Sequence, residues 1–106
     1  MRNTGDMYYV SHPYTGEEES NKKEAREITA RLKTEYPQHI FINPLDTFQY
    51  AEDWPYETVL EDCIELLYKC RGIIMTGDWG NSRGCRKEIK AAAKAGKEIT
   101  ELEDWL

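Results

Sequence analysis

A chain of 106 residues with 20 acidic side chains against 14 Lys and Arg has a formal net charge of −6, which argues against a nucleic-acid backbone or an anionic membrane surface as its main partner. A small phosphorylated ligand is not excluded, because a local glycine turn and Arg83 can outweigh a diffuse negative surface. The length allows one domain, residues 1–106, with a single layered core, and is short for an enzyme that closes its own pocket without a partner subunit.

Met7-Tyr-Tyr-Val10 favours β structure and is read as the first strand, followed by a loop in which Pro13 and Gly16 interrupt regular structure. Residues 17–36 read as a helix: Ala25, Ile28 and Leu32 form an i, i+3, i+7 stripe, and Glu17, Glu18 and Glu19 suit the dipole at its start. Pro37 ends it, and His39-Ile-Phe-Ile42 is a second strand stopped by Asn43-Pro44. The segment 45–55 shows no helical period but contains Phe48, Tyr50 and Trp54. Those rings either cover a planar ligand or form a satellite cluster under a long loop.

Residues 56–70 read as a helix with a broad apolar face built from Tyr56, Val59, Leu60, Cys63, Leu66, Leu67 and Cys70. Asp62 is placed at the edge of that face. Gly72-Ile-Ile-Met75 has the short, continuous apolar character of a buried parallel strand. It runs through a turn containing Gly77, Asp78, Gly80, Ser82 and Gly84 into an alanine-rich helix that Gly96 ends, and Lys97-Glu-Ile-Thr100 adds a last strand. The acidic tail Glu101-Leu-Glu-Asp-Trp-Leu106 has apolar anchors for docking on the domain or on a second subunit.

The glycine turn and the helix after it read as the site. Glycines let the backbone bend tightly and approach a ligand, and Ser82 with the free amides behind it either caps the helix or holds an anion. Around that helix, Cys85, Ile89, Ala92 and Ala93 form an apolar stripe, while Arg83, Arg86, Lys87, Lys90 and Lys94 gather on a polar side. Glu88 falls at the far edge of the stripe beside Ala91, Ala92 and Ala95. It is a candidate nucleophile or general acid; the alternative is a solvated glutamate that offsets nearby lysines.

Cys63, Cys70 and Cys85 are odd in number and lack close CxxC spacing, which suggests neither a disulfide framework nor a zinc site; core cysteines in a reducing cytoplasm are expected. No apolar run approaches the roughly 20 residues of a membrane span, and Met1-Arg-Asn-Thr-Gly-Asp6 has no signal-peptide core, so a soluble cytoplasmic protein is the expectation.

The alternation of strands and helices predicts right-handed βαβ units: a small three-layer α/β domain of the Rossmann-like or flavodoxin-like kind with a four- or five-stranded, mainly parallel sheet. Ligands bind such sheets beyond the carboxyl ends of the strands. That rule gathers Tyr9, Ser11, His12, Asn43 and the turn from Gly77 to Gly84 at one edge.

These residues resemble the nucleoside 2-deoxyribosyltransferase-like family, which includes the deoxyribosyltransferases, the small nucleoside 5′-monophosphate N-glycosidases and small uncharacterised phage and bacterial domains. Tyr9-Val-Ser-His-Pro13 resembles that family's Tyr-x-Ser-Gly-Pro loop, with His12 in place of the glycine. Asn43-Pro44 resembles the end of its second strand. The run from Gly84 to Lys97 resembles its Gly-x-x-x-Glu-x-x-x-Ala-x-x-x-Gly-Lys helix, with Glu98 where proline is common.

The resemblance implies that Glu88 is the nucleophile at the anomeric carbon, that Tyr9 orients it, and that Asp62 contacts and protonates the leaving base. Ser82 stands where the transferases carry an aspartate near the sugar 5′-hydroxyl and the monophosphate hydrolases carry a serine. A serine donates to a phosphate that an aspartate repels. Ser82 and Gly84, with Ser11, His12, Asn43, Asp78 and Arg83 around them, are the expected phosphate- and substrate-binding residues. The expected activity is N-glycosidase cleavage of a nucleoside 5′-monophosphate, without metal or organic cofactor, in a homodimer or higher oligomer. A deoxyribosyltransferase and a non-catalytic nucleotide-binding or interaction domain are the alternatives.

Overall fold

The computed structural model describes residues 5–106; positions 1–4, part of the segment read above as lacking a signal-peptide core, lie outside the described residues. Four strands, β1 (Met7–Ser11), β2 (Ile40–Ile42), β3 (Gly72–Met75) and β4 (Glu98–Glu101), form one sheet in the order β2-β1-β3-β4. All neighbouring pairs are parallel, which gives a small Rossmann-like sheet. Tyr9 lies opposite Ile42 on one side and Ile73 on the other, and Ser11 opposite Met75.

Alternation along β1 and β3 divides the core in two, because successive side chains in a strand point to opposite faces. Tyr8, Val10 and Ile74 pack on helix α1 (Glu18–Glu35) through Ile28 and Leu32. Tyr9, Ile73 and Met75 face the other way, against Cys63 and Leu67 of α3 (Tyr56–Tyr68) and Cys85 and Ala92 of α4 (Arg83–Lys94). Leu32, Leu67, Ile73 and Ile74 are fully buried, each contributing about 1.5–3 kcal/mol through the apolar surface it removes from water.

The C-terminal segment docks on the domain itself. Leu102, at the start of a 3-10 turn spanning Leu102–Asp104, and Trp105 join the α1-side core. The Tyr36 hydroxyl donates to the Trp105 carbonyl at 2.6 Å, and Trp105 Nε1 donates to Thr100 Oγ1 at 2.8 Å. At the start of β4, the Glu98 amide donates to the Arg71 carbonyl at 3.3 Å, a bond that proline could not make.

Three expectations change. The segment 45–55 is not a structureless loop: α2 (Pro44–Thr47) and a 3-10 turn (Gln49–Ala51) occupy most of it. Asn43 caps α2 by accepting from the Leu45 amide at 3.2 Å, and Pro44 fits the first helical position, but one turn is too short to show a period. Ala93 is exposed, because the buried positions of α4 are Cys85, Glu88 and Ala92, spaced i, i+3, i+7. Asp62 is exposed too: the buried positions of α3 are Leu60, Cys63 and Leu67, and a residue beside Cys63 is turned about 100° away. No helix among the described residues is long and apolar enough to cross a membrane.

Candidate active site

The strand order reverses between β1 and β3, and the crevice beyond their carboxyl ends is where an open parallel sheet offers a binding site. Tyr9 and Ser11 are two residues apart on β1, so their side chains share the face covered by α3 and α4. Both reach Glu88. The Tyr9 hydroxyl donates to Glu88 Oε2 at 2.5 Å, and the Ser11 hydroxyl donates to Glu88 Oε1 at 2.7 Å.

Glu88 is therefore no solvated helix-surface acid; it is only 7% exposed, and both of its oxygens accept from neutral hydroxyls. Burial raises its pKa above the usual carboxylate value, while the bonds from Tyr9 and Ser11 pull it down. The Tyr9 hydroxyl is held far above its ordinary range, first by burial and then by the Glu88 charge, so it stays a donor. The Cys63 thiol, in the same wall, is pushed up to about 12 by burial and by the Glu88 charge and is no nucleophile at neutral pH.

Glu88 forms part of the wall of a cavity of about 210 Å³. Phe48, Trp54 and Tyr56 supply aromatic surface to it, and Val59, Leu60 and Cys63 of α3 add an apolar wall. The aromatic segment thus lines a cavity and is also a cluster in itself: Phe48 packs against the core on this face of the sheet, and the Tyr50 ring meets those of Phe48 and Trp54 at centroid distances of 6.4 and 5.9 Å. A second, more polar cavity of about 810 Å³ shares His12, Tyr56, Ser82 and Gly84 with the first and extends to Asp78 and Arg83. Together they make a crevice that is apolar and aromatic at one end and polar at the other.

The polar end is shaped by the turn before α4. Ser82 Oγ caps the helix by accepting from the Cys85 amide at 3.2 Å. A hydroxyl that accepts in this way still has its hydrogen to donate, so capping and anion binding are compatible. Gly84 leaves room for the Tyr56 hydroxyl: a Cβ there would lie 2.9 Å from it. Gly77 has φ +63°, and a Cβ there would stand 2.9 Å from His12 Nε2.

His12 is 6% exposed, its Nδ1 donating to the Pro13 carbonyl at 2.8 Å. Its Nε2 is buried without a hydrogen bond, 3.4 Å from Glu24 Oε1.

The remaining candidates divide. Ser11, expected on the substrate side, is instead a partner of Glu88. Asn43 is buried and engaged with Leu45 and Asp46, and it lines neither cavity. Asp78 accepts from the Asn81 side chain at 2.9 Å, and Arg83 pairs with Glu57 at 2.6 Å while lying 5.3 Å over the Tyr56 ring. Asp62 lines neither cavity, so it does not join Glu88 in this chain.

Tyr14, Glu52 and Cys63 line the Glu88 cavity without having been singled out in the sequence as site residues. For Cys63 a signal existed, since it sits on the buried stripe of α3; for Tyr14 and Glu52, in irregular segments, none did. Among the described residues, no group of three or more His, Cys, Asp and Glu side chains is placed to hold a metal ion.

The sequence model of a protein family described as Domain of unknown function (DUF4406) matches residues 6–101, so the chain belongs to that family. No curated protein and no solved structure matches it.

Proposed function

We propose that this member of the DUF4406 family is an N-glycosidase that hydrolyses a nucleoside or deoxynucleoside 5′-monophosphate to free base and sugar 5-phosphate. The supporting observation is the grip of Tyr9 and Ser11 on a buried Glu88 in a cavity wall beyond the carboxyl end of β1. A carboxylate in that setting is desolvated, fixed in direction, and left with a free lone pair on each oxygen. Those are the requirements of a nucleophile that attacks a sugar carbon.

In the first step a Glu88 oxygen bonds to the anomeric carbon as the bond from that carbon to the base nitrogen breaks. The bonding pair leaves with the base, which takes up a proton from solvent. Water then attacks the same carbon and gives up a proton to solvent, the ester to Glu88 breaks, and the carboxylate is regenerated, the two-step course of retaining glycosidases. The aromatic end of the crevice suits a base and the polar end a phosphate, with Ser82 and the amides at the start of α4 as donors.

The test is to incubate the purified protein with ribo- and deoxyribonucleoside 5′-monophosphates and the matching nucleosides, and to assay free base by chromatography. Base released from monophosphates by the wild type and not by Glu88→Ala is the expected result. A need for an added second base would replace hydrolysis by deoxyribosyl transfer. Turnover that survives Glu88→Ala would remove the mechanism.

One observation favours a second reading, a domain that binds a nucleotide without cleaving it: Asp62, the acid that the resemblance assigns to the leaving base, is exposed and outside the crevice. Nucleotide binding with no product after long incubation would establish that reading. The homodimer implied by the resemblance is tested by sedimentation; a strict monomer would leave the crevice to be completed by this chain alone.

A further inference from the structure

We infer that Glu52 reads the base, making the crevice selective for bases that carry an exocyclic amino group, guanine above all. The inference rests on the proposed nucleotide site and names its substrate class.

Of the residues lining the Glu88 cavity, only Glu52 and Glu88 have carboxylates, and Glu88, held by Tyr9 and Ser11, is given to the sugar in the proposed reaction. Glu52 follows the 3-10 turn Gln49–Ala51, whose Ala51 is buried and anchors it; Glu52 itself is an exposed residue of the cavity lining, in the aromatic segment between Phe48 and the half-exposed Trp54. Its charge is felt by the Tyr14 hydroxyl in the same wall, whose pKa it helps to raise after the larger effect of burial. Glu52 takes part in no ion pair among the described residues. Lys22 lines the same cavity, but its ion-pair partner is Glu19, at 3.6 Å.

An ionised carboxylate only accepts hydrogen bonds, and its two oxygens suit a pair of parallel donors. Guanine presents such a pair, its ring N1–H beside its exocyclic amino group. Hypoxanthine keeps the ring N–H and lacks the amino group, while uracil and thymine flank theirs with carbonyl oxygens that repel a carboxylate. A base that stacks on the aromatic lining by its face is therefore sorted by its edge at Glu52.

Calorimetric titration tests this with guanosine 5′-monophosphate and inosine 5′-monophosphate, which differ by that one amino group. The protein carries Glu88→Gln so that ligand is not cut, with and without Glu52→Gln, and free base release by the wild type is assayed in parallel. The expected result is tighter binding of the guanine nucleotide by about threefold to tenfold, the size of one hydrogen bond to a carboxylate that stays in contact with water, and loss of that preference with Glu52→Gln. Equal binding of the two nucleotides, or a preference that survives Glu52→Gln, would overturn the inference while leaving the glycosidase reading intact. Discrimination by Glu52 with no base released would uphold the inference and sink the glycosidase reading. No binding of either nucleotide would overturn both.

Discussion

The Tyr9 hydroxyl donates to Glu88 Oε2 at 2.5 Å, tying the first strand to the last helix across 79 positions of sequence. With Ser11 on the other oxygen, the carboxylate is aimed from β1 while its own backbone belongs to α4. The orientation of the Glu88 carboxylate thus depends on the register of β1 and on the packing of α4 against the sheet.

Replacing Glu88 by Gln is expected to raise stability at neutral pH. Its folded-state pKa lies above the ordinary value of 4.5 because burial outweighs the two hydrogen bonds. Its stabilising contribution is therefore fully present below that ordinary value and is lost as pH rises through the folded-state pKa. Thermal melts should show Glu88→Gln gaining over the wild type at pH 8, with the gain shrinking toward pH 4. A gain that instead grows with acidity would contradict this sign.

Tyr9→Phe removes one of the two donors that lower the Glu88 pKa. The pKa should rise further, so that the acidic limb of the pH–rate profile moves to higher pH. At neutral pH an unpaired, buried carboxylate oxygen should cost about 1–3 kcal/mol of stability, read by urea denaturation.

Asp62→Asn should leave kcat/KM within about twofold of wild type, corresponding to the ~0.5 kcal/mol scale of surface substitutions, since Asp62 is exposed and outside both cavities. A loss of a hundredfold or more would restore to Asp62 the role that the resemblance gives it.

Trp105→Ala should destabilise the fold by about 3 kcal/mol, at the low end for loss of a large aromatic because Trp105 is only partly buried. Its ring contacts Tyr8 and Tyr36 edge-on, at centroid distances of 4.8 and 4.9 Å, on the side of the sheet away from Glu88. Activity below the melting transition should therefore be retained, which paired melting and rate measurements check.

Much of the fold was legible because its elements announce themselves by period and punctuation. The stripe of Ala25, Ile28 and Leu32 marks α1, and the continuous apolar run at β3 marks a buried parallel strand. The single turn of α2 was not legible, since four residues make too short a helix to repeat a pattern. In the site, Glu88 stood out as an acid among alanines, but its burial depends on partners more than 70 positions away. Asp62 shows the limit of a helical wheel: a residue at the edge of an apolar face faces solvent or core according to which neighbour packs there. Glu52 had no period to mark it, and only the path of the aromatic segment brings it to the cavity.

The central claim is that Glu88 attacks the sugar, and the direct measurement is mass spectrometry of the protein quenched in acid during turnover of a nucleoside 5′-monophosphate. The account predicts a sugar-phosphate adduct on the peptide containing Glu88, absent from Glu88→Ala. Rapid release of base with no adduct on that peptide, or with full activity retained by Glu88→Ala, would contradict it.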